Sequence, residues 1–360
     1  VKNILILTAG YGEGHNAAAR GIRDGLARVA PDAHVDLRDL FAETFGALHG
    51  LIRQSYLTLI NRWPHAWGYV YRWLDNKTDF EKDFRKFWRL KDRLARLLEI
   101  FQPHVVVSVF PAYPYLLNQI SGSDPRYKNV VVVTDSITVN AIWYHCRADY
   151  FLLPNEPSAA VLRDAGVAPE LIKALGFPVS PKFADLTQDR SALGGQAKPR
   201  VLYMITAGTA KAPELVDKLL DLDIELTVTV GRDEKLRRGI ESVSGQRKID
   251  IVGWTDEMPR MLCQSHVLIG KAGGASVQET IAARCPMIIN HIVSGQEEGN
   301  ARLIVETNSG TIALSNDEVF SQVQRAFADE ATRWREWERN ISALSRPRAS
   351  LDIAEFLLSI

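Results

Sequence analysis

Asn3-Ile4-Leu5-Ile6-Leu7-Thr8-Ala9-Gly10-Tyr11-Gly12-Glu13-Gly14-His15-Asn16 runs from a short apolar stretch through a glycine-rich turn into the start of a helical pattern. The apolar stretch reads as a buried strand, and Gly14 to Val29 carries the period of an amphipathic helix. Alternate glycines let the backbone turn tightly and let a ligand approach it, while a helix N-terminus offers unpaired amides and positive potential. An ordinary strand-to-helix turn reads from the same glycines. His15 adds chemistry, because a neutral imidazole suits general base work and the C-terminal end of a first parallel strand is where such sheets place their sites.

The same strand, turn and helix order recurs outward along the chain. Strand-like runs stand at Asn3 to Thr8, Val105 to Phe110, Val130 to Thr134, Tyr150 to Leu153, Val201 to Ile205, Leu226 to Gly231, Ile249 to Val252, Val267 to Ile269 and Pro286 to Asn290. Helix-periodic segments such as Gly274 to Arg284 separate most of them, which predicts a doubly wound α/β architecture. At 360 residues the chain exceeds what one core usually holds. The stretch around Phe177 to Pro199, rich in proline and glycine, reads as a linker. The predicted layout is an N-terminal domain over 1–178 with a helical insert over about 41–101, a linker over 179–198, a second domain over 199–330, and a helical segment over 331–360 bridging the domains.

Gly270-Lys271-Ala272-Gly273-Gly274-Ala275-Ser276-Val277-Gln278-Glu279 repeats the strand, glycine turn and helix pattern. Amides of Gly273, Gly274 and Ala275 at a helix N-terminus suit a diphosphate, and Glu279 suits two ribose hydroxyls, although an acid early in a helix is also favourable without a ligand. Ser294 to Asn300 concentrates amides and carboxylates after a strand, either to bond sugar hydroxyls or as a solvated loop. Asp221-Leu222-Asp223 reads as a polar helix-to-strand turn rather than a metal pair. His104, His145, His266 and His291 read as structural. The three cysteines, Cys146, Cys263 and Cys285, lack metal-ligand spacing, no metal site or cofactor is expected, and a reducing cytoplasm is the simplest setting.

Lys plus Arg equals Asp plus Glu at 43 each, so no global field draws the protein to nucleic acid or to a membrane. Locally the picture differs. Four of the eight tryptophans, Trp63, Trp67, Trp73 and Trp88, fall in Phe41 to Arg96, and Glu81 to Arg96 holds seven basic residues against three acids. Tryptophan beside cations suits an element lying on an anionic membrane surface; a helical hairpin with a solvated charged face fits the same composition. No apolar run is long enough to cross a bilayer.

The segments Ile4 to His15, Val132 to His145, Ala148 to Glu156, Gly176 to Phe183, Val252 to Met258, Gly270 to Glu279 and Pro286 to Ala301, taken in order, make the chain similar to the family 28 glycosyltransferases. The resemblance is to the group of monogalactosyldiacylglycerol synthases and processive diacylglycerol glucosyltransferases. It implies the GT-B fold, two facing Rossmann-like domains with a cleft between them, and an inverting transfer from UDP-hexose to a diacylglycerol-like lipid at the inner face of a membrane. By position it implies Gly253 and Trp254 at uracil, Met258, Gly208 and Thr209 near phosphate, Gly273, Gly274 and Ala275 at the diphosphate, and Glu279 at ribose. Gln296, Glu297 and Asn300 would face the hexose. His15 would activate the acceptor, Asp135 would join it on the acceptor side, and Gly12, Gly14 and the four insert tryptophans would lie toward acceptor and membrane. Asn140 stands where many relatives have a histidine. Readings that keep the fold but change the function are a polyprenyl-linked acceptor, a UDP-N-acetylglucosamine 2-epimerase, and a UDP-sugar-sensing membrane protein.

Overall fold

A computed structural model describes residues 1–10, 13–46, 80–122, 126–188, 190, 193, 197–293 and 297–360. The chain forms two compact units: Val1–Pro181 with Val293–Gly299 and Arg348–Ile360, and Lys182–Ile292 with Asn300–Pro347.

The first unit is built on a parallel sheet of β1 (Asn3–Leu7), β2 (His34–Arg38), β3 (Val105–Ser108), β4 (Lys128–Val132), β5 (Tyr150–Leu152) and β6 (Ile172–Lys173). Their order is β2-β1-β3-β4-β5-β6. Ile4 to Leu7 and Val105 to Val107 are fully buried, as expected of parallel strands covered on both faces. The chain leaves β1 to form β2 on one side, then returns to form β3 on the other. The C-terminal ends of β1 and β3 therefore flank a topological switch point, the usual ligand crevice of such sheets.

Helix Glu13–Val29 follows β1 and uses two interior glycines for close packing. A Cβ at Gly21 would stand 1.9 Å from the Pro178 carbonyl oxygen, and one at Gly25 would stand 2.4 Å from that of Ser350. Glycine in a helix interior costs about 1 kcal/mol relative to alanine. Here it lets the helix meet two backbone segments, the second being the first turn of helix Ala349–Ser359.

In the second unit, β7 (Arg200–Met204), β8 (Glu225–Gly231), β9 (Asp250–Gly253), β10 (Val267–Lys271), β11 (Met287–His291) and β12 (Gly310–Ile312) form another parallel sheet, ordered β12-β11-β10-β7-β8-β9. The reversal lies between β7 and β10, which puts the loops after Met204 and Lys271 at this sheet's switch point. Its core takes in Trp334 and Trp337 from helix Thr332–Leu344, and the Trp334 indole donates to the His266 carbonyl at 2.7 Å.

Three strands escape the sequence reading. β2 mixes polar and apolar residues, and β6 and β12 are only two and three residues long. Several expected strands also run too far: Thr8, Phe110 and Thr134 lie beyond the ends of β1, β3 and β4. The tail forms three helices, Asn316–Phe327, Thr332–Leu344 and Ala349–Ser359, of which the last belongs to the first unit. Among the described residues no helix is long and apolar enough to cross a membrane.

Candidate active site

His15 stands at the first switch point. Its Nδ1 is 3.1 Å from the hydroxyl oxygen of Thr134, just past β4. Its ring meets Phe110, just past β3, edge-on at 5.3 Å between centroids, and Trp143 at 5.9 Å. Burial pushes the imidazole down to about 4, against a smaller opposing effect of a hydrogen bond with the Val109 backbone. A neutral ring with a lone pair is therefore present across the physiological range.

The residues on either side of the turn before His15 are held by side chains. The Gly10 amide donates to Asp39 Oδ2 at 2.8 Å, and the Thr8 hydroxyl donates to Asn16 Oδ1 at 3.0 Å. Tyr113, fully buried, donates its hydroxyl to the Thr8 carbonyl at 2.8 Å and accepts from the Leu40 amide at 3.1 Å. Asp39 also accepts the Ala42 amide at 2.9 Å. Sequence reasoning missed Asp39 and Tyr113. Asp39 stands just after β2, which was itself unseen; Tyr113 sits within an apolar segment that reads as ordinary core.

Asp135, expected among the catalytic groups, accepts the indole N–H of Trp143 through Oδ2 at 2.9 Å. Asn140 caps the turn Ala141–Trp143, its Oδ1 accepting from the Ile142 amide at 3.1 Å. The residue found in place of a histidine thus orders the turn that delivers Trp143. Gly14 lies in the first turn of helix Glu13–Val29 beside His15. Gly12 lies outside the described residues.

The second unit carries the expected nucleotide residues after β7, β9 and β10, the first and last of which flank its switch point. Gly273 is the N-cap of helix Gly274–Ala282, and no side chain caps that end. The first-turn amides of Gly274 and Ala275 are thus left for an anionic ligand. Across the switch point, Gly208 adopts a left-handed conformation (φ 65°) and leads into the turn Thr209–Lys211. Glu279 lies further along helix Gly274–Ala282, half-buried. At the end of β9, Gly253 precedes Trp254, whose ring is exposed and lies under the Arg232 guanidinium at 5.3 Å. Met258 begins helix Met258–Gln264, beside Glu257, which accepts from Lys182 at 3.0 Å.

The loop after β11 contributes to both units. Glu297 is buried in the first, where its Oε2 accepts the Val293 amide at 3.0 Å and so closes the loop on itself. Gly299 backs onto the acceptor-side loop: a Cβ there would stand 2.3 Å from both the Ser136 carbonyl oxygen and the Thr138 hydroxyl. Asn300, in the second unit, donates from Nδ2 to the Ala272 carbonyl at 3.1 Å, just ahead of Gly273, while its buried Oδ1 has no hydrogen-bond partner. Gln296 lies outside the described residues.

Of the insert tryptophans, Trp63, Trp67 and Trp73 fall outside the described residues, and Trp88 opens helix Trp88–Phe101 with its ring 57% exposed and the Arg89 guanidinium 5.2 Å from it. Asp221 pairs with Arg247 and Asp223 with Lys198, as befits a surface turn. Burial pushes Cys146 and Cys285 up to about 12, so neither thiol is poised to react.

Comparison with known proteins agrees with this geometry. Residues 15–179 match the family model for monogalactosyldiacylglycerol synthase, and residues 203–345 match the glycosyltransferase family 28 C-terminal domain. Over most of its length the chain is thus similar to the monogalactosyldiacylglycerol synthase group of the family 28 glycosyltransferases. It is thereby a UDP-sugar-dependent hexosyltransferase. Among the relatives of this glycosyltransferase are a probable monogalactosyldiacylglycerol synthase 2 of Oryza sativa subsp. indica, 27% identical over 98% of this chain and 80% of the relative, and the synthase of Spinacia oleracea, 26% identical over 99% and 72%. Among solved structures it resembles MurG of Acinetobacter baumannii, with a TM-score of 0.63 at 11% identity and full coverage of both chains. It also resembles the UDP-GlcNAc 2-epimerase of Neisseria meningitidis, with a TM-score of 0.59 at 12% identity, covering 99% of this chain and 100% of that one. These likenesses carry the GT-B fold alone.

Proposed function

We propose that this glycosyltransferase moves a hexose from UDP-hexose to the free hydroxyl of a diacylglycerol-like lipid, with inversion to a β-glycoside. The observation that carries the reading is the neutral imidazole of His15 at the first switch point, within the segment that matches the monogalactosyldiacylglycerol synthase model. His15 takes the acceptor proton as the hydroxyl oxygen bonds to the anomeric carbon, a role worth roughly 10² to 10⁴ in rate. The bond from that carbon to the diphosphate breaks, and its electron pair leaves with UDP. Amides of Gly274 and Ala275 at the uncapped helix end meet the developing charge, so the proposal assigns no step to a metal ion.

Galactose is the first donor to test, because the relatives are named as monogalactosyldiacylglycerol synthases; glucose is the second. Exposed Trp88 and the basic residues beside it support peripheral attachment to an anionic surface. The test is a product assay by mass spectrometry, pairing UDP-galactose and UDP-glucose with diacylglycerol and with a polyprenyl-linked acceptor. A β-glycosyl diacylglycerol is the expected product. Epimerised donor with no new glycolipid, or glycosylation of the polyprenyl acceptor alone, overturns the proposal.

A further inference from the structure

General base work by His15 needs one ring nitrogen with a lone pair toward the acceptor and the other held by the protein. In the structure Nδ1 is the nitrogen with a protein partner at hydrogen-bond distance, the Thr134 hydroxyl, and Thr134 is only 7% exposed. Nδ1 therefore faces the protein. A hydroxyl can donate or accept, so Thr134 is compatible with either tautomer by itself. The Val109 backbone also raises the imidazole pKa, as an acceptor of a ring N–H does. Phe110 and Trp143 pack against other sides of the ring. Thr134 itself is fixed by its place just past β4, beside Val133, whose amide donates to the Leu152 carbonyl at 2.9 Å.

We propose that Thr134 is a positioning residue for the transfer reaction: it accepts the Nδ1 proton of His15, and so leaves the Nε2 lone pair for the acceptor hydroxyl. Thr134 touches neither donor nor acceptor in this scheme. Its effect passes through His15, much as a histidine's second hydrogen bond sets its tautomer elsewhere. The inference rests on the proposed base role of His15, but its physical core, the tautomer, can be read without turnover.

The experiment uses the full chain with ¹⁵N-labelled histidine, read by NMR at pH 7, together with Thr134→Val, Thr134→Ser and His15→Ala assayed for turnover and UDP affinity. The expected result is an Nδ1–H tautomer in the unsubstituted protein, lost or mixed with the Nε2–H form in Thr134→Val. Turnover of Thr134→Val should fall by about ten- to a hundredfold with UDP affinity unchanged, and Thr134→Ser should restore most of it. An Nε2–H tautomer in the unsubstituted protein overturns the proposal, as does full turnover in Thr134→Val. Should Thr134→Val not fold, the tautomer of the unsubstituted protein and the turnover of Thr134→Ser still decide it. If His15→Ala keeps full turnover, the base assignment fails, whereas the tautomer measurement stands or falls by itself.

Discussion

The Trp143 indole N–H donates to Asp135 Oδ2 at 2.9 Å, and the same indole forms one wall of the His15 site, 5.9 Å between ring centroids. The carboxylate thereby orients a wall of the pocket around His15. Trp143 is 2% exposed, so its N–H needs that acceptor. Asp135→Ala should cost about 1.5–3 kcal/mol of stability through the lost charge-assisted bond, with lower turnover. Asp135→Asn, which keeps an acceptor, should retain most of both. Thermal melts and turnover of the two variants check this, and equal loss in both would place the essential charge at the acceptor.

His15 carries a stability signature as well. Its imidazole is depressed from 6.5 to about 4 in the folded protein, so between those values the unfolded chain binds the proton and the folded one does not. Stability should therefore decline as pH falls from about 6.5 toward 4, by roughly 3 kcal/mol for the whole shift, and be unaffected by this group above pH 7. Denaturant unfolding of the unsubstituted protein and His15→Gln at pH 7 and pH 4.5 tests it: the variant should lose less on acidification.

Glu279 stands on the helix whose N-terminus no side chain caps, and the proposed nucleotide site would put it at ribose with the amides at phosphate. Glu279→Ala should weaken UDP by the two missing charge-assisted bonds, each about 1.5–3 kcal/mol. Titration calorimetry with UDP measures it directly; wild-type affinity would remove ribose from its role.

Glu297 gives a divided expectation, because one carboxylate oxygen already accepts the Val293 amide. Glu297→Gln keeps an acceptor for that amide but changes what the side chain offers a hexose, whereas Glu297→Ala also opens the loop. UDP-hexose use should fall in both, more in Glu297→Ala, with inhibition by free UDP near wild type. Weaker UDP inhibition in step with substrate use would show the residue holding the nucleotide.

Trp88, with its indole exposed beside Arg89, offers an accessible probe of surface attachment. Binding to anionic vesicles should exceed binding to neutral ones, weaken as salt rises from 0.05 to about 0.3 M, and drop in Trp88→Ala. Co-sedimentation checks it, and equal binding to both vesicle types would remove the electrostatic part.

The sequence by itself determined the architecture and the kind of chemistry. Apolar runs such as Ile4 to Leu7 and Val267 to Ile269 are buried on both faces, so the pattern alone marks them as parallel strands, and the glycines after them mark where a backbone meets a ligand. Gly273 at an uncapped helix end needs only local geometry, and local geometry is legible in order of residues. Other features came only from tertiary structure. Thr134 against His15, Asp39 against Gly10 and Tyr113 against Thr8 are separated by 119, 29 and 105 positions. No period or motif encodes such pairs; they meet because strands distant in sequence lie side by side in one sheet. The tertiary structure also gave Asp135, expected as a catalytic carboxylate, an indole partner, since a carboxylate's neighbours are set by the fold and not by its own chemistry.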